Sequence, residues 1–120
     1  MAKKNQKSRD KYLVMILVLM SLVFVCCKGT QYLIPTDADV TNAQTHWKGT
    51  GLVQLTQGYA IFSDKCTDCH GLKKPQKWTE DEWLTIMQKM GRKAKLDSAQ
   101  YNLVLHYILA KRETVLAGKK

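Results

Sequence analysis

At 120 residues, with 45% hydrophobic and 24% charged side chains, the chain has room for one domain at most. Its formal net charge of +9 overstates how basic that domain is. Residues 1–25 hold five basic and one acidic side chain, and without them 14 basic and 9 acidic remain, a net +5, which makes no case for nucleic-acid binding.

The first eleven residues carry Lys3, Lys4, Lys7, Arg9 and Lys11 against Asp10, and an apolar run from Tyr12 to Val25 follows. This is the layout of a secretory signal. A membrane anchor is the alternative, although spanning takes about 20 apolar residues and this run is shorter. Cys26 and Cys27 stand at the end of the run. A cysteine in that place resembles the lipid-attachment cysteine of bacterial lipoproteins, with Cys26 or Cys27 as the site. The resemblance implies export and tethering on the periplasmic side of a bacterial membrane. Residues 1–27 are therefore expected to be a signal peptide or anchor.

Residues 28–47 are polar, are interrupted by Pro35 and the turn formers Asp37, Asp39 and Asn42, and show no sustained period. They read as a tether. His46, near its end, reads as a surface residue.

The domain proper is expected over 48–116. Its first helix should run from Thr50 to Lys65, because Leu52, Leu55, Tyr59, Phe62 and Cys66 recur at steps of three and four. Gly58 costs such a helix about 1 kcal/mol relative to alanine. Its presence implies close approach by another backbone.

Cys66-Thr67-Asp68-Cys69-His70 follows. Two thiols three residues apart with an imidazole immediately after them read as a c-type haem attachment site. On one helical turn positions 66, 69 and 70 share a face, so two sulfurs can bond the haem edge while His70 reaches the iron. A thioredoxin-like dithiol would sit beside a βαβ pattern, which is missing here. A structural zinc site would need a fourth ligand, which only His46, His106 or a distant thiol offers, at irregular spacing. With two cysteines in the motif and two at the membrane boundary, no structural disulfide is expected.

A short basic loop, Gly71 to Lys77, leads to Trp78. A carbonyl near Pro75 is the expected partner of the second His70 ring nitrogen. Thr79-Glu80-Asp81-Glu82 is a capping box opening a second helix, on which Trp83, Ile86, Met87 and Met90 share one face. Gly91 is expected to end it as a left-handed residue. Asp97-Ser98-Ala99-Gln100 starts a third helix, with Leu103, Val104, Tyr107 and Ile108 inward, that ends among Lys111, Arg112 and Glu113. Asn102, His106 and Glu113 form its polar strip, which makes His106 a solvated residue and not an iron ligand. Residues 117–120 should fray.

The domain resembles the class I c-type cytochromes. In that family the helix before the haem motif carries a glycine eight residues and an aromatic four residues before the first cysteine, matched by Gly58 and Phe62, and a partner aromatic on the last helix, matched by Tyr107. The resemblance implies an all-α fold of three main helices packed on one covalently attached haem. It also implies His70 as one axial ligand of the iron. Met87 and Met90 are the only methionines beyond the leader. Small exported single-haem domains resemble this chain in a tryptophan seven residues before the ligating methionine and a basic-Ala segment after it. Trp83 and Met90-Gly91-Arg92-Lys93-Ala94 match, which implies Met90 as the second ligand, with Met87 the alternative.

Ligation by His and Met saturates the iron, so the expected activity is transfer of single electrons between exported redox proteins, without catalysis of its own. Lys65, Lys73, Lys74 and Lys77 surround the attachment loop and suit docking on an acidic partner. The alternatives are a haem sensor or enzyme with an open sixth position, and a fixed cytochrome subunit of a larger oxidoreductase.

Overall fold

The computed structural model describes residues 3–23, 33–67 and 70–119. Every regular element among the described residues is helical, in keeping with the all-α expectation. The chain divides into two compact units, Met1–Gln31 and Tyr32–Lys120.

In the first unit α1 spans Lys3–Val23. Tyr12 to Leu19 each expose more than half of their surface. No helix among the described residues is long and apolar enough to cross a membrane. Cys26 and Cys27, proposed from sequence for lipid attachment, lie outside the described residues.

The second unit contains α2 (Asp37–His46), α3 (Leu52–Lys65), a 3₁₀ turn (Pro75–Lys77), α4 (Glu80–Lys93) and α5 (Ser98–Ala117). It holds four helices where three were expected, because the supposed tether is helical from 37 to 46. The reason is local. Thr36 is the N-cap, and its backbone N–H and hydroxyl both donate to Asp39 Oδ2, at 2.6 and 2.9 Å, the backward half of a capping box. Asp37 and Asp39 in the first turn also suit the positive end of a helix. Residues that read as turn formers are here helix starters.

Long-range polar bonds fasten this helix and the segment before it to α5. Lys111 Nζ donates to Asp39 Oδ2 at 2.5 Å and to the Ile34 carbonyl at 2.7 Å. Tyr107 donates its hydroxyl to the Leu33 carbonyl at 2.7 Å, and Asn42 Nδ2 donates to Thr114 Oγ1 at 2.8 Å. Asp39 and Lys111 are both buried, an ion pair shielded from water and salt.

The centre of the unit is the crossing of α3 and α5. A Cβ on Gly58 would lie 2.1 Å from the Leu103 carbonyl oxygen and 2.9 Å from Tyr107 Cβ, so the close approach expected at this glycine is present. Leu55, Phe62, Val104, Tyr107 and Ile108 are buried around it. The Phe62 and Tyr107 rings meet at 5.7 Å and the Tyr59 and Tyr107 rings at 5.5 Å, within the range of favourable aromatic pairs.

The start of α4 matches the capping box: Glu82 N–H donates to Thr79 Oγ1 at 3.3 Å and Thr79 N–H donates to Glu82 Oε2 at 2.8 Å. Its end does not match. The helix continues through Gly91 to Lys93, and the left-handed residue is Lys95, at φ 54°. Leu96 N–H bonds the Gly91 carbonyl and Lys95 N–H that of Arg92, the pair of bonds of a Schellman ending. Gly91 serves packing, because a Cβ there would meet Tyr101 Cδ2 at 2.9 Å. Helix α5 runs on to Ala117 rather than stopping near Glu113. The charges at its middle do not mark an end, since Lys111 is an internal partner of Asp39.

Candidate functional site

Helix α3 delivers Cys66 as its C-cap. The helix stops there because the Thr67 hydroxyl donates back to the Ser63 and Asp64 carbonyls, at 2.7 and 3.0 Å, competing with further helical bonds. Cys66 and Thr67 form a turn and His70 lies in a bend. Cys69 lies outside the described residues.

Beyond the motif the chain turns back. Arg112 donates Nε–H to the Trp78 carbonyl at 2.8 Å, and Trp83 donates its indole N–H to the Pro75 carbonyl at 2.6 Å. His70 Nδ1 lies 3.0 Å from the Gly71 carbonyl. The expected carbonyl near Pro75 is thus engaged by Trp83, and the imidazole bonds its own neighbour. A carbonyl only accepts, so Nδ1 carries a proton; in the neutral ring this tautomer leaves the lone pair on Nε2, the nitrogen free to bind a metal.

Between the end of α3, this loop and α4 lies a cavity of about 430 Å³, within the range of roughly 300–1,000 Å³ common to small-molecule sites. Cys66 and His70 reach it from the motif, and Phe62 from α3. Trp83, Ile86, Met87 and Met90 reach it from α4. The face predicted for α4 is therefore a cavity wall. Met87 is buried and Met90 half-buried. The Phe62 and Trp83 rings meet edge to face at 6.4 Å, and those of Trp78 and Trp83 at 4.8 Å.

Among the described residues the charged groups lining the cavity are Lys65, Lys73 and Lys93, with no carboxylate. An apolar slot with cationic groups at its edge suits a flat apolar molecule that bears acidic groups. From sequence Lys65 and Lys73 suit docking and Lys93 belongs to a basic segment; in the fold all three line the cavity. Lys93 stands three residues after Met90 on the stripe Trp83, Ile86, Met87, Met90, and that spacing is the signal that places it. Lys77 lies over the Trp78 ring, 4.7 Å from its centroid, a cation–π contact.

The other histidines stand apart from this cavity. His106 stacks on Trp47 at 4.0 Å, and burial there pushes its pKa below the ordinary imidazole value. His46 pairs with Glu113 at 3.2 Å. Among the described residues no group of three His, Cys, Asp or Glu side chains is placed to hold a metal ion. The cavity offers instead the mixed donor set of one imidazole, one thiol and two thioethers. No family model, no curated protein and no solved structure matches this chain.

Proposed function

We propose that residues 33–119 form a c-type cytochrome domain carrying one covalently attached haem, and that the chain is an exported, membrane-tethered carrier of single electrons. The observation that carries this reading is the cavity of about 430 Å³ that opens between Cys66 and His70 on one side and Met87 and Met90 on the other. The residues present fit the group. Phe62, Trp78, Trp83 and Ile86 provide apolar and aromatic walls for a porphyrin face, and Lys65, Lys73 and Lys93 provide countercharges for its two propionates.

In this reading Cys66 and Cys69 would hold the haem through two thioethers, their S–H bonds adding across its vinyl groups with no oxidant needed. His70 would hold the iron through Nε2, its tautomer set by the Gly71 carbonyl. Met90 would be the second residue to hold the iron, and Met87, one turn earlier and more deeply buried, is the alternative. When bound, the haem supplies a one-electron couple, which a methionine ligand raises in potential. Trp83, Phe62 and Met87 keep water from the buried side of the site. Lys65, Lys73, Lys74 and Lys77 steer the exposed edge toward an acidic redox partner, an attraction that salt weakens.

Absorbance spectroscopy tests the ligand set. Protein made in a host with c-type haem maturation should be low-spin, with a weak thioether-to-ferric-iron band. Met90→Ala should abolish that band and Met87→Ala should keep it. The reverse pattern would move the ligand to Met87. A high-spin ferrous form that binds carbon monoxide readily would replace the carrier with a sensor or enzyme.

A further inference from the structure

The first residues of the domain are held harder than a tether needs. The Leu33 carbonyl accepts from the Tyr107 hydroxyl at 2.7 Å, and the Ile34 carbonyl accepts from Lys111 Nζ at 2.7 Å. Lys111 also donates to Asp39, and Asn42 donates to Thr114. Tyr107, Lys111 and Asp39 are at most 2% exposed, so water and salt compete little for these bonds. Burying an ion pair costs desolvation that its attraction barely offsets; what such a pair can supply instead is one fixed arrangement. Here the arrangement is the docking of residues 33–46 on α5.

We propose that Tyr107 and Lys111 set the reach of the carrier: by fixing Leu33, Ile34 and Asp39 on α5 they leave no more than residues 28–32 between the anchoring cysteines and the domain, and so keep the haem beside the membrane that anchors it. The proposal rests on the reading of the chain as a tethered haem carrier. A chain spans at most about 3.3–3.6 Å per residue. Leu33 is six residues beyond Cys27 and seven beyond Cys26, which limits the span to about 20–25 Å for any conformation of residues 28–32. With all of 28–47 free, the 21 residues from Cys27 to Lys48 would allow about 70–75 Å. A domain of residues 33–119 has a radius of gyration of about 12 Å, so the shorter limit is comparable to the domain's own breadth. The longer one would let it swing clear of the lipid surface. The partner that fits is a redox protein embedded in, or bound to, the same membrane; one held in a second membrane lies out of reach.

The test uses the full chain, matured with haem in a host that also processes exported lipoproteins, on phospholipid vesicles whose headgroups carry a fluorophore that haem quenches at short range. Three chains are compared. They are the wild type, a chain with a Gly/Ser spacer of about twelve residues between Thr30 and Gln31, which adds a mean span of roughly 20 Å, and Tyr107→Phe with Lys111→Met. The wild type should quench most, and both altered chains should lose quenching. Amide exchange in the wild type should be slow over residues 37–46. Unchanged quenching with the spacer, or fast exchange over 37–46 in the wild type, overturns the proposal even if the double variant fails to fold. A folded double variant that quenches as the wild type does also overturns it, because the two side chains then do not set the reach. A wild type that takes up no haem, or stays off the vesicles, overturns both the proposal and the tethered-carrier reading beneath it.

Discussion

Replacing Gly58 by alanine probes the α3–α5 crossing that supports the cavity wall. The new Cβ would lie 2.1 Å from the Leu103 oxygen, 2.7 Å from its carbonyl carbon and 2.9 Å from Tyr107 Cβ, where ordinary contact begins at 3.4 Å. Two of these three atoms are backbone, so no rotamer change relieves the overlap and the helices must separate. Alanine gains about 1 kcal/mol over glycine in helix propensity. Overpacking costs about 1–3 kcal/mol, and more where the neighbours are rigid. Backbone contact puts this site at or beyond the upper end, for a net loss of about 2 kcal/mol or more. At about 4–8 °C per kcal/mol for a domain of this size, the melting temperature should fall by about 10 °C or more. Thermal melts followed by circular dichroism read this directly. A variant melting at or above the wild type would refute the reasoning, since propensity would then have outweighed contact. Gly91→Ala is the companion case: its neighbour is the edge of the Tyr101 ring, which can turn away, so the change should stay within about 1 kcal/mol.

Lys111→Met leaves Asp39 charged, buried and without its cation, and removing one partner of such a pair costs about 3–5 kcal/mol. Urea titration should show that loss, and Asp39→Asn added to it should restore part; a single variant as stable as wild type would remove the pair from the account. His106 has its pKa lowered by burial against Trp47, so the unfolded chain binds more protons just below the ordinary imidazole value of about 6.5. Stability should therefore fall as pH drops through that window, and His106→Gln should flatten the slope; an unchanged slope contradicts the assignment. The pKa of Glu82 is lowered chiefly by its bond from the Thr79 backbone, then by the Thr79 hydroxyl. The stabilisation is present above the ordinary carboxylate value of about 4.3 and is lost as pH falls below it, so Glu82→Gln should shrink the acid loss between neutral pH and pH 3.

Periodicity and capping chemistry carried much of this architecture. The apolar stripe of α3, the Thr79 and Asp97 caps and the shared face of Trp83, Ile86, Met87 and Met90 are local signals, and each is present in the folded chain. Gly58 announced its crossing because a costly glycine within a helix needs a reason. The failures are also physical. Thr36-Asp37-Ala38-Asp39 has the chemistry of both a turn and a helix start, and the bond that decides it is from Lys111 to Asp39, 72 residues apart. Gly91 is a frequent helix terminator, but its neighbour Tyr101 uses the missing side chain, and Lys95 takes the left-handed place instead. That His70 bonds Gly71, and that the Trp83 indole bonds the Pro75 carbonyl, was illegible because no local spacing reveals either bond. Of the candidate site, Cys66, His70, Met87 and Met90 line one cavity, and Cys69 lies outside the described residues. The lysines at its edge emerge only once the loop and α4 are brought together.

The cavity also bears on stability. The domain expected over 48–116 makes a small core, and domains of this size are marginal without a staple, which the haem would supply by packing against Phe62, Trp83 and Met87. Haem-free protein should accordingly lose most of its cooperative unfolding transition. Stable, native-like helix content without haem would contradict this.

The most direct test of the central claim is the intact mass of the chain produced in a host with c-type haem maturation. The account predicts that the wild type carries the added mass of one haem through denaturation and acid-organic extraction. It predicts that Cys66→Ala with Cys69→Ala carries none. A wild-type chain of unmodified mass at its haem motif, or a double variant that still retains haem covalently, would contradict it.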